Sequence, residues 1–389
     1  MVFANTRVTA YVPTAVGLLS LASAMGIGRF AFTPLLPLMQ QAYGLTLSQG
    51  AWLATANYLG YLIGALANFV IAPKTALPAR WALLAVAATT LAMGLTSSYV
   101  AWSGLRFISG VASAFVLVGA GAWALGHIAS AGRPWLAGVI FLGVGLGIGI
   151  AGLIALFASG SGHGPDVIWA WLGGVAAVVV AIAWPILAIP PPAVTGPLHE
   201  AQTIGRDSWI LVGCYGALGL GYIVPATFLP AVARQVVDDP AIFGWTWPVF
   251  GLAAALSTVA VSTLFQASAP RKVAGWSLLV MAVGVVAPLI RTSLPTLVIS
   301  ALCVGGTFMV TTMAGAQEAR RVSPGLPTKL MGALTAAFAL GQLAGPILVA
   351  VFARGTDAFF VPGVLAVVAL LTGATILLGS RVPPARKIS

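Results

Sequence analysis

Apolar residues run along this chain in long blocks, broken at near-regular intervals by short clusters of proline, glycine and charge. Each block holds about twenty residues or more, the length at which a helix rising about 1.5 Å per residue crosses a hydrocarbon layer of about 30 Å. Twelve blocks are marked, at 11–38, 48–72, 78–97, 99–128, 133–158, 166–189, 208–234, 241–267, 272–290, 294–318, 327–353 and 358–380. Pro78, Gly132, Pro134, Gly325, Pro327 and Pro362 stand where turns are needed. The longest interruption, PPPAVTGPLHEAQTIGR at 190–206, is proline-rich and then polar. The pattern predicts an all-α integral membrane protein: a six-helix bundle over 1–189, a central linker over 190–207, and a second six-helix bundle over 208–389 ending in the basic tail RVPPARKIS. The first block is far longer than the apolar core of a cleaved leader, so it reads as a retained span.

Composition removes the soluble alternatives. Of 389 residues 60% are hydrophobic and 6% charged, with mean hydropathy +1.03; a soluble domain carries about 25% charged residues. The net charge of +11 comes from 18 basic and 7 acidic residues, and their placement matters more than the sum. Alternating the twelve spans puts thirteen basic residues on the side of both termini and leaves Arg234, Arg291 and Arg354 opposite. By the positive-inside rule both termini are then cytoplasmic. The basic residues form no stripe along one face, so a nucleic-acid partner is excluded and anionic lipid headgroups account for them. Cys214 and Cys303 lie inside spans, where small apolar packing is their expected role rather than a disulfide or zinc site. His127, His163 and His199 stand apart, so no catalytic or cofactor-holding cluster is predicted.

The two halves repeat each other. GIGRFAFTPLLP at 26–37 returns as GLGYIVPATFLP at 219–230, and Gly132-Arg-Pro134 returns as Gly325-Leu-Pro327. Gly119-Ala120 answers to Gly315-Ala316, and Gly147 to Gly341. Six spans per repeat give both halves the same orientation, related by an axis along the membrane normal. That is the parallel-repeat plan of secondary transporters, which rock two bundles about a midplane pocket.

These features resemble the major facilitator superfamily (MFS), and the resemblance takes in essentially the whole chain. Arg106-Phe-Ile-Ser-Gly110-Val-Ala-Ser-Ala114 looks like the family's fourth-span pattern. GIGRFAFTPLLP, ARR at 319–321 and GQLAGP at 341–346 are similar to the YbfB/YjiJ-type bacterial branch. The resemblance implies the MFS fold, a bacterial cytoplasmic (inner) membrane location, a small-molecule substrate and a monomer. It also implies that the glycine-rich stretches of spans five and eleven form a sliding contact between halves. One departure stands out: where the family's second loop carries an acid, GALANFVIAPKTALPAR at 64–80 has Asn68, with Lys74 and Arg80 spread apart. Closure of the cytoplasmic side is therefore expected from a solvated cluster of Glu318 with Arg320 and Arg321.

Two arginines lie inside spans, Arg29 about 7 Å past the middle of the first and Arg106 about 10 Å into the fourth. Burying each costs about 2.5–3.5 kcal/mol on insertion scales, and spans one to six contain no interior Asp or Glu. Two readings stand side by side. Either each arginine donates to backbone carbonyls near Gly26, Gly28 and Pro34 and fixes packing, or each awaits the carboxylate or phosphate of a passenger. Asn57, Tyr58, Tyr61, Tyr215, Tyr222, Thr311 and Gln342 are further candidates for the pocket, against the commoner role of such residues as helix-to-helix hydrogen bonds. Trp245 and Trp247 read as an interfacial belt. The favoured function is secondary transport of an organic anion, proton-coupled or by exchange. Proton-linked efflux of neutral sugars or drugs is the alternative, and a non-transporting membrane sensor or scaffold is the alternative from another class.

Overall fold

A computed structural model of the chain describes residues 10–71, 75–133, 135–190, 205–236, 244–265, 268–322, 327–352 and 358–380. All regular structure among them is helical. The first span is broken: α1 (Tyr11–Leu21) runs into a π-helical turn (Ala22–Ile27), then a non-helical turn, then α2 (Phe32–Tyr43). After it come α3 (Leu47–Ile71), α4 (Leu77–Met93), α5 (Tyr99–Ser130), α6 (Leu136–Gly160) and α7 (Pro165–Ile186). The second half holds α8 (Arg206–Val236), α9 (Thr246–Leu264), α10 (Pro270–Ile290), α11 (Leu294–Val322), α12 (Pro327–Phe352) and α13 (Phe360–Gly379). With the broken helix counted once, the described residues form the twelve expected spans. Ten are long and apolar enough to cross a membrane. Of the other two, α4 has 17 residues and α3 is punctuated by Asn57, Tyr58, Tyr61 and Asn68. Most of the linker expected at 190–207, and the tail from 381, lie outside the described residues, as does Lys74.

The exterior is apolar in helical register. On α13, Val361, Val364, Leu365, Val368 and Leu371 are all exposed, and on α9 so are Leu252 and Leu256. Such stripes suit lipid tails. Polar side chains turn inward instead: Asn57, Glu318, Gln342, Arg29 and Arg106 are buried.

The repeat seen in the sequence is reproduced in the packing. Span two packs on span four as span eight packs on span ten, and three packs on four and six as nine packs on ten and twelve. Span one packs on span five as seven packs on eleven. A Cβ on Gly26 would strike the backbone of Gly147, and one on Gly219 would strike that of Phe338, so the glycines shared by the two repeats let equivalent helices meet backbone to backbone. Between the halves, α6 lies along α9, α3 along α12, and α2 against α8.

One part of the expected sliding contact is corrected here. In span five the glycines are divided: Gly143 and Gly147 face span one, while Gly145 and Gly152 face Ala255, Gly251 and Pro248 of span eight. In span eleven, however, Gly341 and Gly345 face Gly216 and Ile223 of span seven, inside their own half. The inter-half partner of span eleven is span two, which it meets through side chains. The reason is rotational phase: Gly341 is the repeat partner of Gly147, and both present their missing side chain to the first helix of their own bundle.

Candidate functional site

The break in span one begins with its sequence. Glycines 26 and 28 remove side chains, and Pro34 removes an amide donor, so regular i to i−4 bonding fails between them. The chain widens instead: Gly28 N donates to Ser23 O at 2.8 Å and Phe30 N to Met25 O at 3.1 Å, both spanning five residues. Such π-bulges often accompany functional positions. The carbonyls of Gly28 and Arg29 turn toward span four. There Arg106 Nη1 donates to Gly28 O at 3.2 Å, Arg106 Nη2 to Arg29 O at 3.1 Å, and Ser109 Oγ to Gly28 O at 2.9 Å. The expected shared depth of the two arginines is thus an actual contact. Arg106 also lies over the Phe32 ring, 4.7 Å from its centroid, and Asn57 Nδ2 holds the Arg106 carbonyl at 2.9 Å.

Arg29 is placed differently. Its guanidinium reaches across the interface, where Nη2 donates to Gln342 Oε1 of span eleven. Gln342 Nε2 in turn donates to Tyr222 Oη, the residue that replaces Arg29 in the second repeat. The guanidinium carbon is 3.9 Å from the Tyr61 ring centroid, 4.9 Å from Tyr58 and 5.3 Å from Phe30. Such contacts suit a cation with little water around it. Only 1% of Arg29 is exposed, yet Nε and Nη1 have no hydrogen-bond partner. No carboxylate pairs with it among the described residues.

About one helical turn from this cluster, the two halves meet at equivalent positions. Thr33 Oγ1 donates to Ala226 O at 3.0 Å, and these two positions are repeat equivalents, 193 residues apart. A residue that touches its own equivalent lies at the pseudo-twofold axis. The Ala226 carbonyl is free to accept because Pro230 brings no amide to it. Tyr58 Oη and Thr227 Oγ1 share a hydrogen bond at 2.9 Å, and Arg234 Nη1 donates to Pro37 O at 2.7 Å. Together these bonds seal spans one and two to span seven on the side away from the chain ends.

Of the residues singled out in sequence, the structure brings Arg29, Tyr58, Tyr61, Tyr222 and Gln342 together. Arg106 and Asn57 stand behind them, joining spans one, two and four. Tyr215 and Thr311 are elsewhere: Tyr215 Oη donates to Thr311 O at 2.6 Å and to Thr312 O at 3.0 Å, and Thr311 Oγ1 back-bonds to Thr307 O at 2.8 Å. They tie span seven to span ten. Trp247 corrects the expected belt: it is fully buried against Phe30 and Phe250, while Trp245 is exposed. Sequence reasoning missed the aromatic backing, in which Tyr222 stacks between Phe308 and Phe338 at 5.4 and 5.3 Å.

Glu318 is also differently placed. It is wholly buried, and its main partner is Arg271 at the start of span nine, Nε to Oε1 at 3.0 Å. Arg271 Nη1 donates to Ser380 Oγ at 3.3 Å, and Arg321 stands 3.7 Å from the other carboxylate oxygen. The Arg320 side chain lies outside the described residues. The expected solvated cluster is thus a buried one, and all its described members belong to the second half, where they join spans nine, ten and twelve. Burial follows from helix length: α11 extends to Val322, so Glu318 sits a turn inside its end. Removing one member of a buried pair costs about 3–5 kcal/mol. Glu318→Gln should therefore lower the thermal midpoint of the detergent-purified protein markedly, and Arg321→Ala, whose side chain is partly exposed, should lower it far less.

Comparison with known proteins agrees with this architecture. Over nearly its whole length the chain superposes on a crystal structure of the nucleoside transporter NupG, with TM-score 0.69 and 14% identity, covering 95% of this chain and 99% of that one. It is 32% identical over 99 residues to "Uncharacterized MFS-type transporter YceJ" of Bacillus subtilis (strain 168), a likeness that takes in 24% of each chain. Residues 21–378 match the family profile described as "Uncharacterised MFS-type transporter YbfB". That span contains both repeats and the whole Arg29 cluster, and the chain belongs to this family of MFS-type transporters.

Proposed function

We propose that this transporter carries a small organic anion by alternating access, with Arg29 as the group that receives its charge. One observation supports the reading above the others: a guanidinium buried at the interface of the halves keeps two of its three nitrogens unpartnered, with no carboxylate beside it among the described residues. Leaving such donors unmade is costly in a dry interior, and a passenger that supplies a negative charge removes the cost while it is bound. Tyr61, Tyr222 and Gln342 form the rest of the receiving site. Arg106 and Asn57 hold the broken span in shape, and Tyr215 with Thr311 steadies span seven against span ten. In the opposite state the bonds from Thr33, Tyr58 and Arg234 to the other half must break, which makes them the closure on that side. The halves at 1–189 and 208–389 move as units on the linker 190–207. The unit is a monomer in the bacterial cytoplasmic membrane, its termini in the cytoplasm.

Neutral cargo is the second reading, because the fold relative is named as a nucleoside transporter. It leaves the free nitrogens of Arg29 without a match, and the anion reading is preferred for that reason. Uptake into proteoliposomes, against protein-free vesicles, separates the two. Labelled organic anions should accumulate and exchange by counterflow, and labelled nucleosides, sugars and cationic dyes should not. Accumulation driven by an inward proton gradient, lost when the gradient is collapsed, would assign proton coupling. Uptake of a neutral compound with no anion competing against it would overturn the anion reading.

A further inference from the structure

Resting on that reading, we infer that the anion is a flat aromatic monocarboxylate. Charge sets the first term. Arg29 leaves Nε and Nη1 open at the site, whereas Arg106 leaves Nε alone and commits Nη1 and Nη2 to the carbonyls of Gly28 and Arg29. A single guanidinium matches one carboxylate. A dianion's second charge would find no second open fork, since Arg106 has both terminal nitrogens tied to span one, and burying a poorly paired charge is heavily penalised.

The walls set the second term. Three rings, Phe30, Tyr58 and Tyr61, stand within 5.3 Å of the guanidinium carbon. Behind Gln342, Tyr222 lies nearly parallel to Phe308 and Phe338, with interplanar angles of 3° and 6°. Phe308 meets Phe30 edge-on at 6.1 Å, so the two groups of rings are continuous across the interface. A polyhydroxylated passenger would need many donors and acceptors, and this lining offers few: the Gln342 amide, the tyrosine hydroxyls and the unpartnered Asn57 Oδ1. A planar ring can enter the existing stack, since offset and edge-on arrangements both suit aromatic pairs. The carboxylate then takes the fork of Arg29 Nε and Nη2, displacing Gln342 Oε1 from Nη2.

Calorimetric titration of the detergent-purified full chain tests this without the leak of weak acids through vesicles. The probes are benzoate, cyclohexanecarboxylate, acetate, phthalate and benzyl alcohol. Benzoate should bind, with cyclohexanecarboxylate weaker by about 2- to 10-fold, as expected for the loss of ring stacking, and acetate weaker still. Phthalate and benzyl alcohol should not bind. In Tyr222→Leu the benzoate preference over cyclohexanecarboxylate should shrink toward one, a ratio that general destabilisation does not change. Equal binding of benzoate and cyclohexanecarboxylate overturns the aromatic term and leaves the anion reading standing. Binding of phthalate as tight as benzoate overturns the single-charge term alone. Benzyl alcohol binding as well as benzoate, or no carboxylate binding at all, overturns the anion reading itself.

Discussion

Arg29→Gln should lose most transport and leave the protein at least as stable as before. The two halves of that result come from one fact, the unmet demand of the buried guanidinium. Truncating one partner of a buried, hydrogen-bonded charge pair costs about 2–5 kcal/mol of binding, so uptake of the true substrate should fall by tens of fold or more. Folding has the opposite sign. The arginine occupies its place at a cost of about 2.5–3.5 kcal/mol on insertion scales, and Nε and Nη1 recover none of that from protein acceptors. A glutamine is neutral and can still bond across to Gln342. Loss of function with retained or raised stability is the mark of a residue strained for its task. Arg106→Gln should give the reverse pattern, because its two terminal nitrogens both hold the broken span. Thermal unfolding in detergent, read beside proteoliposome uptake, checks both variants. An Arg29→Gln protein that transports normally, or that melts well below the parent while Arg106→Gln does not, would remove Arg29 from the site.

Much of this arrangement is legible in the sequence. The offset of 193 residues pairs Arg29 with Tyr222, and the structure joins those positions through one glutamine. Depth along a span is legible too, since counting at a fixed rise places Arg29 and Arg106 side by side. What counting cannot give is the direction in which a side chain points around its helix. In a soluble protein the contrast between polar and apolar faces supplies it, but here lipid and core are both apolar and the contrast vanishes. Trp247 therefore reads as an interfacial ring although it faces Phe30, and Gly341 as a contact between halves although it faces span seven. Tyr215 and Thr311 have suitable depth but the wrong azimuth. Arg271 reads as a loop residue when its helix is expected to start at residue 272; two residues more of helix, from Pro270, put it inside and against Glu318. The π-turn has its ingredients in view, Gly26, Gly28 and Pro34, yet the same residues occur in helices that merely bend.

Gln342→Glu should lock the transporter. In the parent, Gln342 Oε1 accepts from Arg29 Nη2 and so occupies, from the opposite half, a place that a substrate oxygen would take. A neutral amide is a weak rival for that place: a typical hydrogen bond contributes about 0.5–1.5 kcal/mol net, against about 1.5–3 kcal/mol when a partner is charged. A passenger's carboxylate can therefore displace the glutamine, and its arrival and departure make and break a tie between the halves. Replacing the amide by a carboxylate gives Arg29 a permanent counterion of the same size at the same atom. The two charges are within hydrogen-bond reach in a dry site, where their attraction is far stronger than in water. The anion then has to compete with a group covalently held in place, and spans one and eleven stay joined when the halves need to part. Uptake and counterflow should both fall by at least tenfold, anion binding should be lost, and the thermal midpoint should rise, three changes that a simple folding defect cannot produce together. Adding Arg29→Gln to Gln342→Glu removes the counterion and strands the carboxylate, so the double variant should be less stable than either single one. If Gln342→Glu instead binds the anion as tightly as the parent, Gln342 is only a spacer, and the bond it makes to Arg29 plays no part in the transport cycle.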